Sequence, residues 1–124
     1  MTHPQTAALK ALLERVEAGS GHYDVLVAAN DWALSIGKSG LYACVMDAYH
    51  GSLDAAKALV EAVCPGAHQV NVDWGPSGCG AKLFWWPDGL SGGRGIEAQG
   101  YDDDPARAIL AAALRALIAD TEGR

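Results

Sequence analysis

The sequence predicts an α+β fold, a small antiparallel sheet of three to four strands with helices before and after it. Three observations predict it. Gln69 to Trp74, Ala81 to Trp86 and Gly95 to Tyr101 alternate apolar and polar residues between Gly- and Pro-rich turns, the pattern of half-buried strands in a meander. On either side, Ser52 to Val63 and Asp104 to Leu117 repeat apolar residues every three or four positions, which is helical spacing. Two more helical patterns fill residues 1–37. The predicted order is helix, helix, arm, helix, strand, strand, strand, helix, in a single domain over 1–124, with 1–37 a helical segment and 52–119 the core unit.

The first helix is placed at Thr6 to Ala18, with Leu9, Leu12, Leu13 and Val16 as its apolar stripe and Gly19-Ser20-Gly21 as its stop. A second runs from Tyr23-Asp24 to about Ile36 and ends at Gly37. Leu41 to Tyr49 reads either as a short strand or as an irregular arm. Ser52 is the expected N-cap of the next helix, because its hydroxyl can accept from an amide of the first turn. Leu53, Ala56, Leu59, Val60 and Val63 form that helix's stripe, and Pro65-Gly66 ends it.

In the first strand Val70, Val72 and Trp74 share the core face, opposite Gln69, Asn71 and Asp73. In the second, Ala81, Leu83 and Trp85 oppose Lys82, Phe84 and Trp86. Pro87-Asp88-Gly89 and the Gly-rich run through Gly93 form a mobile hairpin loop before the third strand. The last helix has Asp104 as N-cap and Pro105 at its first position, where the missing N–H costs nothing. Ala106, Ile109, Leu110, Ala113, Leu114 and Leu117 form its stripe, and Asp120 to Arg124 are expected to fray.

Composition narrows the function. The net charge is −6 and the nine basic residues are dispersed, so nucleic acid polymers are not expected partners, since phosphate contacts need clustered Lys and Arg. No run of 18 apolar residues suggests a membrane span, and the first residues lack a basic region followed by an apolar one. Cys44, Cys64 and Cys79 are an odd, scattered three, which favours a reducing, cytoplasmic setting over a disulfide framework.

Several groupings invite chemistry. Ser35 to Gly40 lacks the spaced first Gly of a phosphate loop and follows a helix, so it reads as a turn. Asp102-Asp103-Asp104 reads as an acidic helix start in preference to a cation site. Cys64, His68 and Cys79 lack a CxxC pair, so no metal is expected. His22, His50 and His68 stand in separate segments, and no catalytic residues or cofactor are assigned. Trp85-Trp86 is the most distinctive feature, because neighbours on a strand point to opposite faces. Trp86, Phe84, Tyr101 and Lys82 on the polar face could form a stacking platform for a planar ligand, with Arg94 meeting its phosphate or carboxylate.

Further residues carry a resemblance. Leu12-Leu13-Glu14-Arg15-Val16-Glu17-Ala18 opens the chain, and a Tyr shortly precedes Ser52-Leu53-Asp54-Ala55-Ala56. Ala58-Leu59-Val60 continues that helix. An acidic strand end leads into Pro105-Ala106 and Ala112-Ala113-Leu114-Arg115-Ala116. This combination resembles the phage ABA sandwich domain family, small proteins of phage and prophage genomes. The resemblance covers nearly the whole chain, although Gly37 to Met46 departs from the pattern. It implies a three-layer α/β/α sandwich and a phage origin, without a settled activity. The strand and helix order is also similar to that of the double-stranded RNA-binding domain. That module needs basic residues where this chain has Asp102-Asp103-Asp104.

The expected function is a phage-encoded, non-enzymatic binding protein in the host cytoplasm. It would sequester a nucleotide-derived host immune signal and assemble as a homo-oligomer. An acidic protein–protein interaction module and a small hydrolase are the alternatives.

Overall fold

The computed structural model describes residues 4–89 and 94–123. Five helices and three strands follow in the order α1 (Pro4–Glu17), α2 (His22–Ser35), α3 (Leu41–Tyr49), α4 (Leu53–Val63), β1 (Ala67–Gly75), β2 (Gly78–Trp86), β3 (Ile96–Asp102) and α5 (Pro105–Glu122). The fold is α+β, with the predicted order of elements. The strands form one antiparallel sheet in the order β1-β2-β3. The Gly-rich run before Arg94 lies outside the described residues.

Leu41 to Tyr49, read as a strand or an arm, is a helix. Val45, Met46, Ala48 and Tyr49 are its buried positions, a spacing that puts one face against a neighbour. It packs between α2 and α4. Gly51, at φ 103°, turns the chain towards α4, and the Ser52 amide closes the turn on the Asp47 carbonyl at 2.9 Å.

The centre of the molecule is α5. Seven consecutive residues, Ala108 to Leu114, are buried, which closes every face of the helix for two turns. It packs on β2 and β3 and also on α1, α3 and α4. Small side chains allow this. A Cβ on Gly100 would stand 2.1 Å from the Ala108 carbonyl oxygen and 2.6 Å from the Ala112 nitrogen. The helix backbone therefore rests almost directly on β3.

Three layers result, with α5 in the middle in place of the sheet. Among the described residues no helix covers the second face of the sheet, where Gln69, Asn71, Asp73, Lys82, Glu97 and Tyr101 are exposed. Exposed polar groups can be solvated, and Gln69 also donates to Asn71 Oδ1 at 3.2 Å, whereas a helical cover would have to supply each with a partner. The core-facing strand positions follow the expected alternation through Ala81, Leu83, Trp85 and Ala98, all buried. Trp74 is the exception. It has the parity of Val70 and Val72, yet it is 69% exposed, because α5 lies over β2 and β3 and leaves the far end of β1 bare.

Asp120, Thr121 and Glu122, expected to fray, stay helical, and Arg124 lies outside the described residues. The helix continues to Glu122, and Asp120 is buried. Arg94 pairs with Asp120 at 2.9 Å, Lys10 of α1 pairs with Glu122 at 2.6 Å, and Thr121 returns its hydroxyl to the Leu117 carbonyl at 2.9 Å. Arg115 ties α1 to β3 by binding Glu17 and donating to the Gln99 carbonyl at 2.7 Å. Among the described residues no helix is long and apolar enough to cross a membrane.

Candidate functional site on the uncovered sheet face

The register fixes how the predicted platform residues sit. Phe84 is flanked by Gln69 and Glu97, Lys82 by Asn71 and Gln99, and Gly80 by Asp73 and Tyr101, while Trp86 pairs with Ala67. Lys82, Phe84, Trp86 and Tyr101 thus share the outer face, as the alternation predicts. They do not form one platform. Trp86 and Phe84 are two residues apart on β2, about 7 Å. Tyr101 sits beside Gly80, about 20 Å from Trp86 along the strand. One planar ligand reaches one end or the other.

Two of the three aromatic rings, Trp86 and Tyr101, have a glycine seat. A Cβ on Gly95 would lie 3.1 Å from Trp86 Nε1, and one on Gly80 would lie 3.3 Å from Tyr101 Cε1. The rings lie over bare backbone on the neighbouring strand. The signal is in the sequence as a glycine at each flanking register position, but it is readable only once the register is known. Tyr101 donates its hydroxyl to Gln99 Oε1 at 2.5 Å, which holds the ring along the strand.

Arg94 is not at this face. Its guanidinium also donates to the Asp120 carbonyl at 3.3 Å, so its hydrogen-bonding edge is turned to the last turn of α5 and not to a ligand beside Trp86. Lys82 stays exposed and forms no ion pair among the described residues.

The Tyr101 end opens into a cleft of about 670 Å³ at the tip of the β1–β2 hairpin. Trp74 and Tyr101, 69% and 68% exposed, stand on it. Four carboxylates, Glu17, Asp73, Asp102 and Asp103, line it against two cations, Lys82 and Arg107. Glu17 is held by Arg115, and Asp102 by Arg107 Nε at 3.2 Å. Arg107 also lies over the Tyr49 ring, 5.5 Å from its centroid. Asp73 and Asp103 form no ion pair among the described residues. The cleft is therefore acidic.

The aspartate run is largely structural. Asp104 Oδ1 accepts from the amides of Ala106 at 2.8 Å and Arg107 at 3.2 Å, and Asp102 Oδ1 accepts from the Asp104 amide at 3.0 Å. Two of the three carboxylates thus order the entry into α5. Among the described residues no group of three metal-ligating side chains comes together. Burial, and secondarily the charge of Asp120, pushes the Cys64 thiol from 9.0 up to about 12. It remains a neutral thiol, neither a nucleophile nor a ready metal ligand.

A second groove, of about 840 Å³, lies among α1, α2, α4 and α5 over Trp32 and Trp85. Both tryptophans are almost fully buried, and the Trp85 indole donates to the Pro65 carbonyl at 2.9 Å. They act as core. Two of the separated histidines do meet: His22 Nδ1 and His50 Nε2 are 2.7 Å apart in stacked rings. Sequence reading missed this pair because it depends on α3 returning the chain beside the start of α2. Among the described residues no acid or hydroxyl is hydrogen-bonded to either ring.

No family model matches the chain, and no curated protein or solved structure matches it.

Proposed function

We propose that this chain is a non-enzymatic binding protein that docks a positively charged segment of another protein in the cleft beside Tyr101. The observation that carries this reading is the pairing of unengaged carboxylates with exposed rings. Asp73 and Asp103 flank a cleft on which Trp74 and Tyr101 stand bare. Aromatic faces attract Lys and Arg side chains, and neighbouring carboxylates add charge-assisted hydrogen bonds. The net charge of −6 steers such a partner towards the chain.

A second reading, capture of a planar nucleotide-like molecule, keeps one specific support. Trp86 and Phe84 are half-buried neighbours on the open face, with Lys82 the next outward residue on β2. Arg94 offers that reading nothing, since Asp120 holds it. A phage origin and a part in blunting a host's nucleotide-based defence rest on the family resemblance alone.

Calorimetric titration separates the two. A decapeptide of alternating Arg and Lys is the first probe, and a panel of mono- and cyclic dinucleotides the second. Docking of a basic segment predicts peptide binding that weakens about tenfold in Asp73→Asn/Asp103→Asn and falls with added salt, with Trp86→Ala unchanged. Nucleotide binding lost in Trp86→Ala, with no peptide binding, overturns the first reading in favour of the second.

A further inference from the structure

We propose that the free edge of β1 is a dimerisation strand, pairing antiparallel with β1 of a second copy to make a continuous six-stranded sheet. The two edges of the sheet differ. At β3, Arg115 donates to the Gln99 carbonyl and binds Glu17 of α1, so a side chain from α5 engages the main chain of that strand. At β1, the only strand partner is β2, and no other main-chain hydrogen bond reaches Ala67–Gly75 among the described residues.

An open row of main-chain donors and acceptors is a template for another strand, and monomeric proteins blunt it with Pro, Lys, bulges or short length. The β1 edge has none of these. It runs nine residues, its register with β2 is unbroken, and its one acidic or basic residue besides His68 is Asp73. A nine-residue ladder spans about 30 Å.

The side chains fit a second copy of the same strand. The midpoint of β1 is Asn71, and a two-fold axis there pairs all nine residues. Val70 then faces Val72 of the other copy, Gln69 faces Asp73, and His68 faces Trp74. On the core side this joins the half-buried valines of both copies into one apolar row and covers Trp74, now 69% exposed. His68, whose Nδ1 is buried without a hydrogen bond, then lies across from Trp74 of the other copy. On the outer side each Asp73 meets an amide, and the two Asp73 side chains stay about 14 Å apart, beyond the screening length at physiological salt. No like charges oppose each other, so the strand is complementary to itself in charge as well as in shape. The pairing shares Asp73 and Trp74 with the acidic cleft, so a second copy on β1 and a basic segment in the cleft compete for those two side chains.

Sedimentation velocity on the intact chain from about 5 to 500 μM tests this, with folding of each variant checked by circular dichroism. The wild type is expected to pass from monomer to dimer across that range. Asn71→Lys sets two ammonium groups against each other on the two-fold axis, at an exposed position, and should weaken the dimer at least tenfold. Glu97→Lys, on the outer face of β3, should leave it unchanged. Under mild oxidation Asn71→Cys should cross-link to a covalent dimer, because directly opposed residues are within disulfide reach. Gln69→Cys, which faces Asp73, should not. A wild type that stays monomeric at every concentration overturns the proposal and leaves the edge to a strand of another protein. So does a dimer that Asn71→Lys leaves intact or that Asn71→Cys fails to cross-link.

Discussion

Arg94 and Asp120 are joined twice, the guanidinium lying 2.9 Å from the carboxylate and 3.3 Å from the main-chain carbonyl of the same residue. The Asp120 side chain is 6% exposed and that of Arg94 34%. Removing the cation takes the countercharge from a buried carboxylate, which costs more than the pair itself contributes. Arg94→Ala is expected to lower stability by about 2–3 kcal/mol, read from urea unfolding. Adding Asp120→Asn should return part of that loss, because the buried charge is gone.

The contact between α5 and β3 makes a sharper prediction. With the Ala108 carbonyl 2.1 Å from where a Cβ would sit, Gly100→Ala cannot be accommodated without moving the helix. A loss of about 3 kcal/mol is expected. Gly21→Ala, where an added Cβ has nothing within 4 Å, should cost much less, no more than the N-cap preference for Gly over Ala at the start of α2.

The two capped helix starts should respond unequally. Ser52 accepts one first-turn amide, and Asp104 accepts two. Loss of a cap costs about 0.5–2 kcal/mol. Ser52→Ala is placed near the middle of that range and Asp104→Ala at its top. Thermal denaturation of the two variants side by side checks the ranking.

Cys64 gives a pH dependence with a definite sign. Its folded value, about 12, lies above its ordinary 9.0. The folded state thus favours the protonated thiol, and the resulting stabilisation is full below pH 9 and lost as pH rises from 9 towards 12. The stability gap between the wild type and Cys64→Ala should narrow over that window. Urea midpoints from pH 7.5 to 11 measure it, since the other titrating groups are common to both proteins.

What the sequence revealed and what it hid divide along physical lines. The caps at Ser52 and Asp104 were legible because a cap is a local event within four residues. So was the shared face of Lys82, Phe84, Trp86 and Tyr101, because side-chain parity on a strand needs no partner. Their separation was not legible, since the distance from Trp86 to Tyr101 depends on which residue of β2 each strand meets. Arg94 was misplaced because its partner lies 26 residues away, in a turn expected to fray. Trp74 was misread as core because alternation assigns a face without saying how far along the strand the helix extends. α3 was missed because Leu41–Tyr49 contains Tyr42, Cys44, Val45 and Tyr49, residues at home in a strand as well.

The central place of α5 also bears on how the chain comes into being. Every earlier element emerges from the ribosome before the helix that most of them pack around, and domains generally fold as units, N-terminal parts first, while synthesis proceeds. Here that order gives the early elements no finished surface to settle on. Helices α1, α3 and α4 and strands β2 and β3 hold their apolar faces open until Pro105–Glu122 arrives. Completion of this fold thus waits for α5. A nascent chain halted before α5 would be a natural client for chaperones that recognise exposed apolar segments.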